Sequence, residues 1–186
     1  MKKLVFLTVA VVLFATFLAN SQSKLVSSKS HIKFFSTTPA EDIEANNTTS
    51  VSTINKETGD VVFSVPMQGF EFEKSLMQKH FNGKDYLNTK EFPKAKLTGK
   101  ITNLDKVDFS KDGSYEASIQ GELTIKDVTK PVNEKGTISV KDGKVETQSK
   151  FNIKLADYGI TFVKGKPASN IAKTLEVTVH AEYEDQ

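Results

Sequence analysis

At 186 residues the chain is one domain's worth, long enough to bury a core of its own. It contains no cysteine, which excludes disulfides and lipoprotein anchoring at a cysteine. All 25 basic residues are lysine, and with Lys2 and Lys3 set aside 23 lysines face 23 acidic residues. That balance leaves no basic field for nucleic acid and no arginine clamp for phosphate.

The chain opens on Lys2 and Lys3, followed by an apolar run from Leu4 to Ala19 broken only by Thr8 and Thr16. Ala19-Asn20-Ser21 then places small residues at a cleavage site. The pattern predicts a secretory signal peptide over residues 1–21, cut before Gln22, and one domain over 22–186 in the periplasm or outside the cell. An uncleaved anchor is the competing reading, for which this run is short, since spanning takes about 20 residues.

Beyond the leader the chain alternates. Ile32 and Phe34 share a face of Ser30–Thr37, which sets His31 on the wet side; Ile43, Ala45, Asn47, Thr49 and Val51 share one of Asp42–Ile54. After the turn at Lys56–Asp60 come Val61, Phe63, Val65 and Met67. Phe72, Leu76, Met77, His80 and Phe81 then recur at helical spacing, which predicts an amphipathic helix over Phe72–Asn82 and a loop over Asn88–Pro93. Ala95, Leu97, Gly99 and Ile101 resume the period of two.

The alternation is strictest from Tyr115 to Lys126, where Ala117, Ile119, Gly121, Leu123 and Ile125 oppose Glu116, Ser118, Gln120, Glu122 and Thr124. Val128–Val140 follows; Asp142-Gly143 is a hairpin signal leading to Val145–Leu155; Leu175–Tyr183 comes last, with His180 on its wet face. Eight strands with mostly short turns and no helical crossovers make an antiparallel sheet with one apolar face. Curling that sheet hides the face and removes its edges, so the predicted fold is all-β: an eight-stranded antiparallel barrel with one short helix inserted between strands.

Catalytic constellations are sparse. The chain has no His-Glu-x-x-His, Gly-x-Ser-x-Gly or phosphate-cradling glycine loop. Asp108-x-Ser110-x-Asp112-Gly113 opens like a calcium loop, but Ile119 stands where a bidentate glutamate is needed, so a turn explains it. No metal site and no cofactor are expected. Phe35 and Phe109 are the obvious outward aromatics.

The inward face carries Phe34, Phe63, Leu97, Leu123 and Phe151 alongside small residues such as Ala45, Gly99, Ala117, Gly121, Gly136, Thr147 and Ser149. Small residues midway along apolar rows leave volume for an apolar guest; alternatively the glycines relieve strain where strands bend. The candidate ligand-binding residues in the barrel are Phe34, Phe63, Met67, Leu97, Gly99, Ala117, Ile119, Gly121 and Phe151. At its mouth they are Leu76, Met77, His80 and Phe81, on a helix that acts as a lid or as a plug.

Three segments resemble YceI-like proteins. Gly121-Glu-Leu-Thr-Ile-Lys-Asp-Val-Thr-Lys-Pro-Val132 is similar to that family's G-x-L-T-I-x-G-V-T-x-P-V stretch. The run from His80-Phe81 through Tyr86-Leu87 to Phe92-Pro93 resembles its histidine motif, and Asp157-Tyr158-Gly159 its D-F-G element. The resemblance implies a lipocalin-like barrel, exported, holding a long isoprenoid or similar amphiphile. Met77-Gln78 stands where the family often has Arg-Asp, Leu155 replaces an arginine and Asp127 a glycine, so polar headgroup contacts transfer least.

The expected function is a non-enzymatic, exported carrier of a polyisoprenoid, quinone precursor or fatty amide, touching the membrane transiently for loading. Two alternatives stay open. One is a lipid-modifying envelope enzyme using His80 as a base near Glu73 or Asp85. The other is a structural or adhesive envelope protein with a solid core.

Overall fold

The computed structural model describes residues 23–38, 41–161 and 172–185; the predicted signal peptide lies outside them. Among these residues there are ten strands: β1 (Lys24–Thr37), β2 (Asp42–Asn47), β3 (Val51–Asn55), β4 (Asp60–Pro66), β5 (Glu71–Phe72), β6 (Lys94–Ile101), β7 (Gly113–Ile125), β8 (Val128–Lys141), β9 (Lys144–Lys154) and β10 (Thr174–Asp185). Among the described residues a single α-helix, α1 (Ser75–Asn82), lies between β5 and β6. Sheet order runs β10-β9-β8-β7-β6-β4-β3-β1, and β1 pairs back onto β10 from Leu25–Asp185 to Phe35–Glu176, closing the ring. With β2 and β3 sharing one position beside β1, the barrel is eight-stranded and antiparallel.

The expected strand Asp42–Ile54 is broken at Thr48–Ser50. Asn47, fully buried, causes the break: its amide donates to the Pro66 carbonyl at 2.8 Å, and its oxygen accepts from the Thr49 amide at 2.9 Å. Thr49 is therefore exposed in the break, not on an inward row. The helix also starts later than Phe72. Glu71 and Phe72 pair with Asn46 and Ala45 on the free edge of β2, and the chain turns helical only at Ser75.

The core divides between the two ends of the barrel. The lower end, where Lys24, Asn55 and Asp185 lie, buries Leu25, Ile54, Val61, Ile101, Ile138, Val140, Val145 and Tyr183. Ser52 Oγ donates to the Tyr183 phenol at 2.8 Å within this layer. The connection from β6 to β7 folds beneath it and packs Leu104, Val107 and Phe109 against it, so Phe109 is not an outward aromatic. The upper end buries Phe34, Phe70, Phe81, Leu87, Ile125, Leu155, Tyr158 and Ile160.

Candidate ligand-binding cavity

Between these two layers the barrel is hollow. A cavity of about 610 Å³ runs through it, within the roughly 300–1,000 Å³ typical of small-molecule sites. Phe34, Phe63, Met67, Leu97, Ala117, Ile119 and Phe151 border it from the wall, and Leu76, Met77, His80 and Phe81 border it from α1. Inward residues such as Phe63, Leu97, Ile119 and Phe151 are only half-buried, because they face space instead of one another.

Gly99 and Gly121 lie outside the lining. They face each other across β6 and β7, and a Cβ on Gly121 would come within 2.5 Å of the Gly99 Cα and 2.3 Å of the Thr98 carbonyl oxygen. Close approach of the two strands requires both positions to be bare, which is neither of the two readings open in the sequence.

The upper closure is built from aromatic rings. Phe81 is the buried residue of α1, its ring 5.7 Å from Phe34, 5.6 Å from Phe70 and 5.0 Å from Phe72. An eight-residue helix is marginal alone, and this one has no side-chain N-cap and no acidic residue in its first turn. Phe81 and its neighbours hold it. Leu76, by contrast, is 62% exposed at the mouth, beside Met77 and His80.

The loop after α1 is tied to the barrel. Lys126 Nζ donates to the Tyr86 carbonyl at 3.1 Å, and the fully buried Thr89 hydrogen-bonds Asn82 at 2.8 Å. Burial pushes the Tyr86 phenol up to about 12.

Polar chemistry at the cavity is thin. His80 is exposed, and neither Glu73 nor Asp85 hydrogen-bonds it among the described residues. Among those residues no three His, Asp or Glu side chains come together to hold a metal ion. Lys74 and Glu41 pair with each other at the mouth. The Ser36 hydroxyl, 4% exposed and bordering the cavity, has no partner among the described residues.

Sequence reasoning passed over Glu134. It lies on the inward row of β8, opposite Ile119, and borders the cavity. Its signal was available: Val132, Glu134, Gly136 and Ile138 fall on one period-two row. Tyr86, Val132, Val179 and Tyr183 also border the cavity without having been singled out for it.

A closed antiparallel barrel enclosing an apolar cavity under an aromatic cap is the architecture of a small-molecule-holding barrel protein. The YceI-like domain description matches residues 18–183, and the chain belongs to that family. Among solved structures it is similar to a polyisoprenoid-binding domain from Saccharophagus degradans implicated in plant cell wall breakdown. The two are 12% identical over 89% of this chain and 99% of that one, at TM-score 0.73. It is also similar to BcnA of Burkholderia cenocepacia, with 15% identity, 82% and 95% coverage and TM-score 0.69. The YCEI protein of Campylobacter jejuni matches at 17% identity, 74% and 81% coverage and TM-score 0.56. A search of curated proteins returned no match.

Proposed function

We propose that this protein is an exported, non-enzymatic carrier that holds a long apolar or amphiphilic molecule inside its barrel. The classes that fit are a polyisoprenoid, a quinone precursor or a fatty amide. One observation carries the reading: a cavity of about 610 Å³ with phenylalanine, leucine, isoleucine and valine walls runs from the barrel interior to α1. Burying an extended hydrocarbon there gains roughly 25 cal/mol per Å² of apolar surface removed from water, and needs no charged partner. Membership of a family with a polyisoprenoid-binding neighbour fold supports the same class of guest. Export is read from Lys2, Lys3, the run Leu4–Ala19 and the small residues before Gln22. A periplasmic or extracellular carrier loads by brief contact with a membrane.

Native mass spectrometry and organic extraction of protein purified from its own envelope test this. A co-purifying lipid-like species is expected; no such species and no uptake of long-chain fluorescent probes would overturn it. Ala117→Phe sharpens the test. Ala117 borders the cavity opposite Gly136, where an added ring projects into the ligand's space. Probe affinity should fall at least about tenfold, about 1.4 kcal/mol, with folding little affected; a stability loss at the ~1–3 kcal/mol typical of overpacking, with binding retained, would sink the cavity reading.

A further inference from the structure

The barrel wall is split between two strands. The β8–β9 ladder runs from Lys141–Lys144 up to Gly136–Ser149 and stops. Above that point each strand keeps its other neighbour: β8 pairs with β7 as far as Val128, and β9 pairs with β10 as far as Lys154. The separation is therefore built in and is not a frayed end. Its vertex is fastened, because Ser149 Oγ donates to the Lys135 carbonyl at 2.7 Å, taking the place of the next backbone bond. Gly136 permits the tight approach there, since a Cβ would sit 2.7 Å from the Gln148 carbonyl oxygen.

Glu134 stands just above this vertex on the inward row, and the cavity reaches both strands at Glu134, Gly136 and Ser149. The turn at Leu155–Tyr158 packs against β8 beside the fork, and the Tyr158 phenol is raised chiefly by burial, then by Asp157, with Glu134 adding least. Glu134 pairs with no cation among the described residues. Partial burial raises its carboxyl from the ordinary value. A desolvated carboxylate without a partner costs stability unless something donates to it. The other acid at the cavity, Glu41, is already paired with Lys74.

We infer that Glu134 and the fork beside it form the polar subsite of the cavity, taking a non-anionic, hydrogen-bond-donating headgroup such as an amine or amide. Resting on the carrier reading above, the inference adds the chemistry of the guest's polar end. The apolar chain lies in the barrel; the headgroup sits at the fork, where its N–H groups reach the Glu134 carboxylate and water remains within reach. A phosphate there meets a like charge and finds no arginine, so it is rejected.

Four probes with long chains decide it: oleylamine, oleamide, oleyl phosphate and squalene, which has no headgroup. The purified protein should bind oleylamine and oleamide at least about tenfold more tightly than oleyl phosphate. Glu134→Gln, which keeps the side chain's volume, should bring oleylamine and oleyl phosphate to within about threefold of each other. Glu134→Lys should reverse their order. Phosphate binding as tightly as amine in the unmodified protein, or an amine preference that survives Glu134→Gln, overturns the inference while squalene binding keeps the carrier reading. Failure of every probe, squalene included, overturns both.

Discussion

The two ends of the barrel solve the problem of closure differently. At the lower end Leu25, Ile54, Val61 and Tyr183 fill the interior, and the connection from β6 to β7 packs beneath them. At the upper end the β8–β9 ladder has stopped, and a short helix without a side-chain cap closes the barrel through Phe81, leaving Leu76 largely exposed. The lesson is one of allocation: one end is closed by side chains of the strands themselves, the other by a single short helix held through Phe81 and its ring neighbours.

The largest expected effect tests the lower end. Ile54 is 2% exposed, and Ile54→Ala should cost about 2–5 kcal/mol in urea unfolding. A loss below about 1 kcal/mol would mean that the lower layer repacks freely and that stability is not concentrated there.

Next in size is a pH effect carried at the upper end by Tyr86. The Tyr86 phenol is raised from 10.0 to about 12 by burial. Above pH 10 the unfolded chain releases this proton while the folded one holds it, so stability is full below pH 10 and falls as pH approaches 12. The difference amounts to roughly 2–3 kcal/mol at most. Unfolding measured at rising pH should therefore penalise the unmodified protein more than Tyr86→Phe, and identical slopes would remove Tyr86 from the account.

The smallest effect concerns α1 itself. Its amides over Ser75–Asn82 should exchange faster than those of β7 in the empty protein and slow when a long-chain probe is bound. Equal, strand-like protection in both states would make the helix a plug and transfer entry to the fork between β8 and β9.

The strands were legible because their information is local. Tyr115–Ile125 alternates without exception, and Asp142-Gly143 forms its turn with both residues at positive φ, 51° and 74°. What the sequence hid depends on partners far along the chain. Phe72 fits a helical stripe, yet the free edge of β2 draws it into a strand with Ala45. Gly99 and Gly121 look like openings until the register sets them face to face. The fork is invisible to periodicity, since β8 alternates whether or not β9 lies beside it. Glu134 was visible in that alternation; a charged residue among valine, glycine and isoleucine is easily assigned to solvent. Most of the cavity wall was nonetheless readable, because inward rows are the same rows whether they meet a core or a guest.

Pro131 sits opposite Glu122 in the β7–β8 ladder, which it can join only with its ring nitrogen turned away from β7, toward the fork. Among the described residues that strand edge therefore lacks a donor where a foreign strand would dock, and Lys130 and Lys154 set exposed charge along its two sides, with Lys135 and Lys150 there in ion pairs with Glu116 and Glu176. A gap in a barrel wall is a template for strand addition, and a proline with charged flanks is what opposes it there.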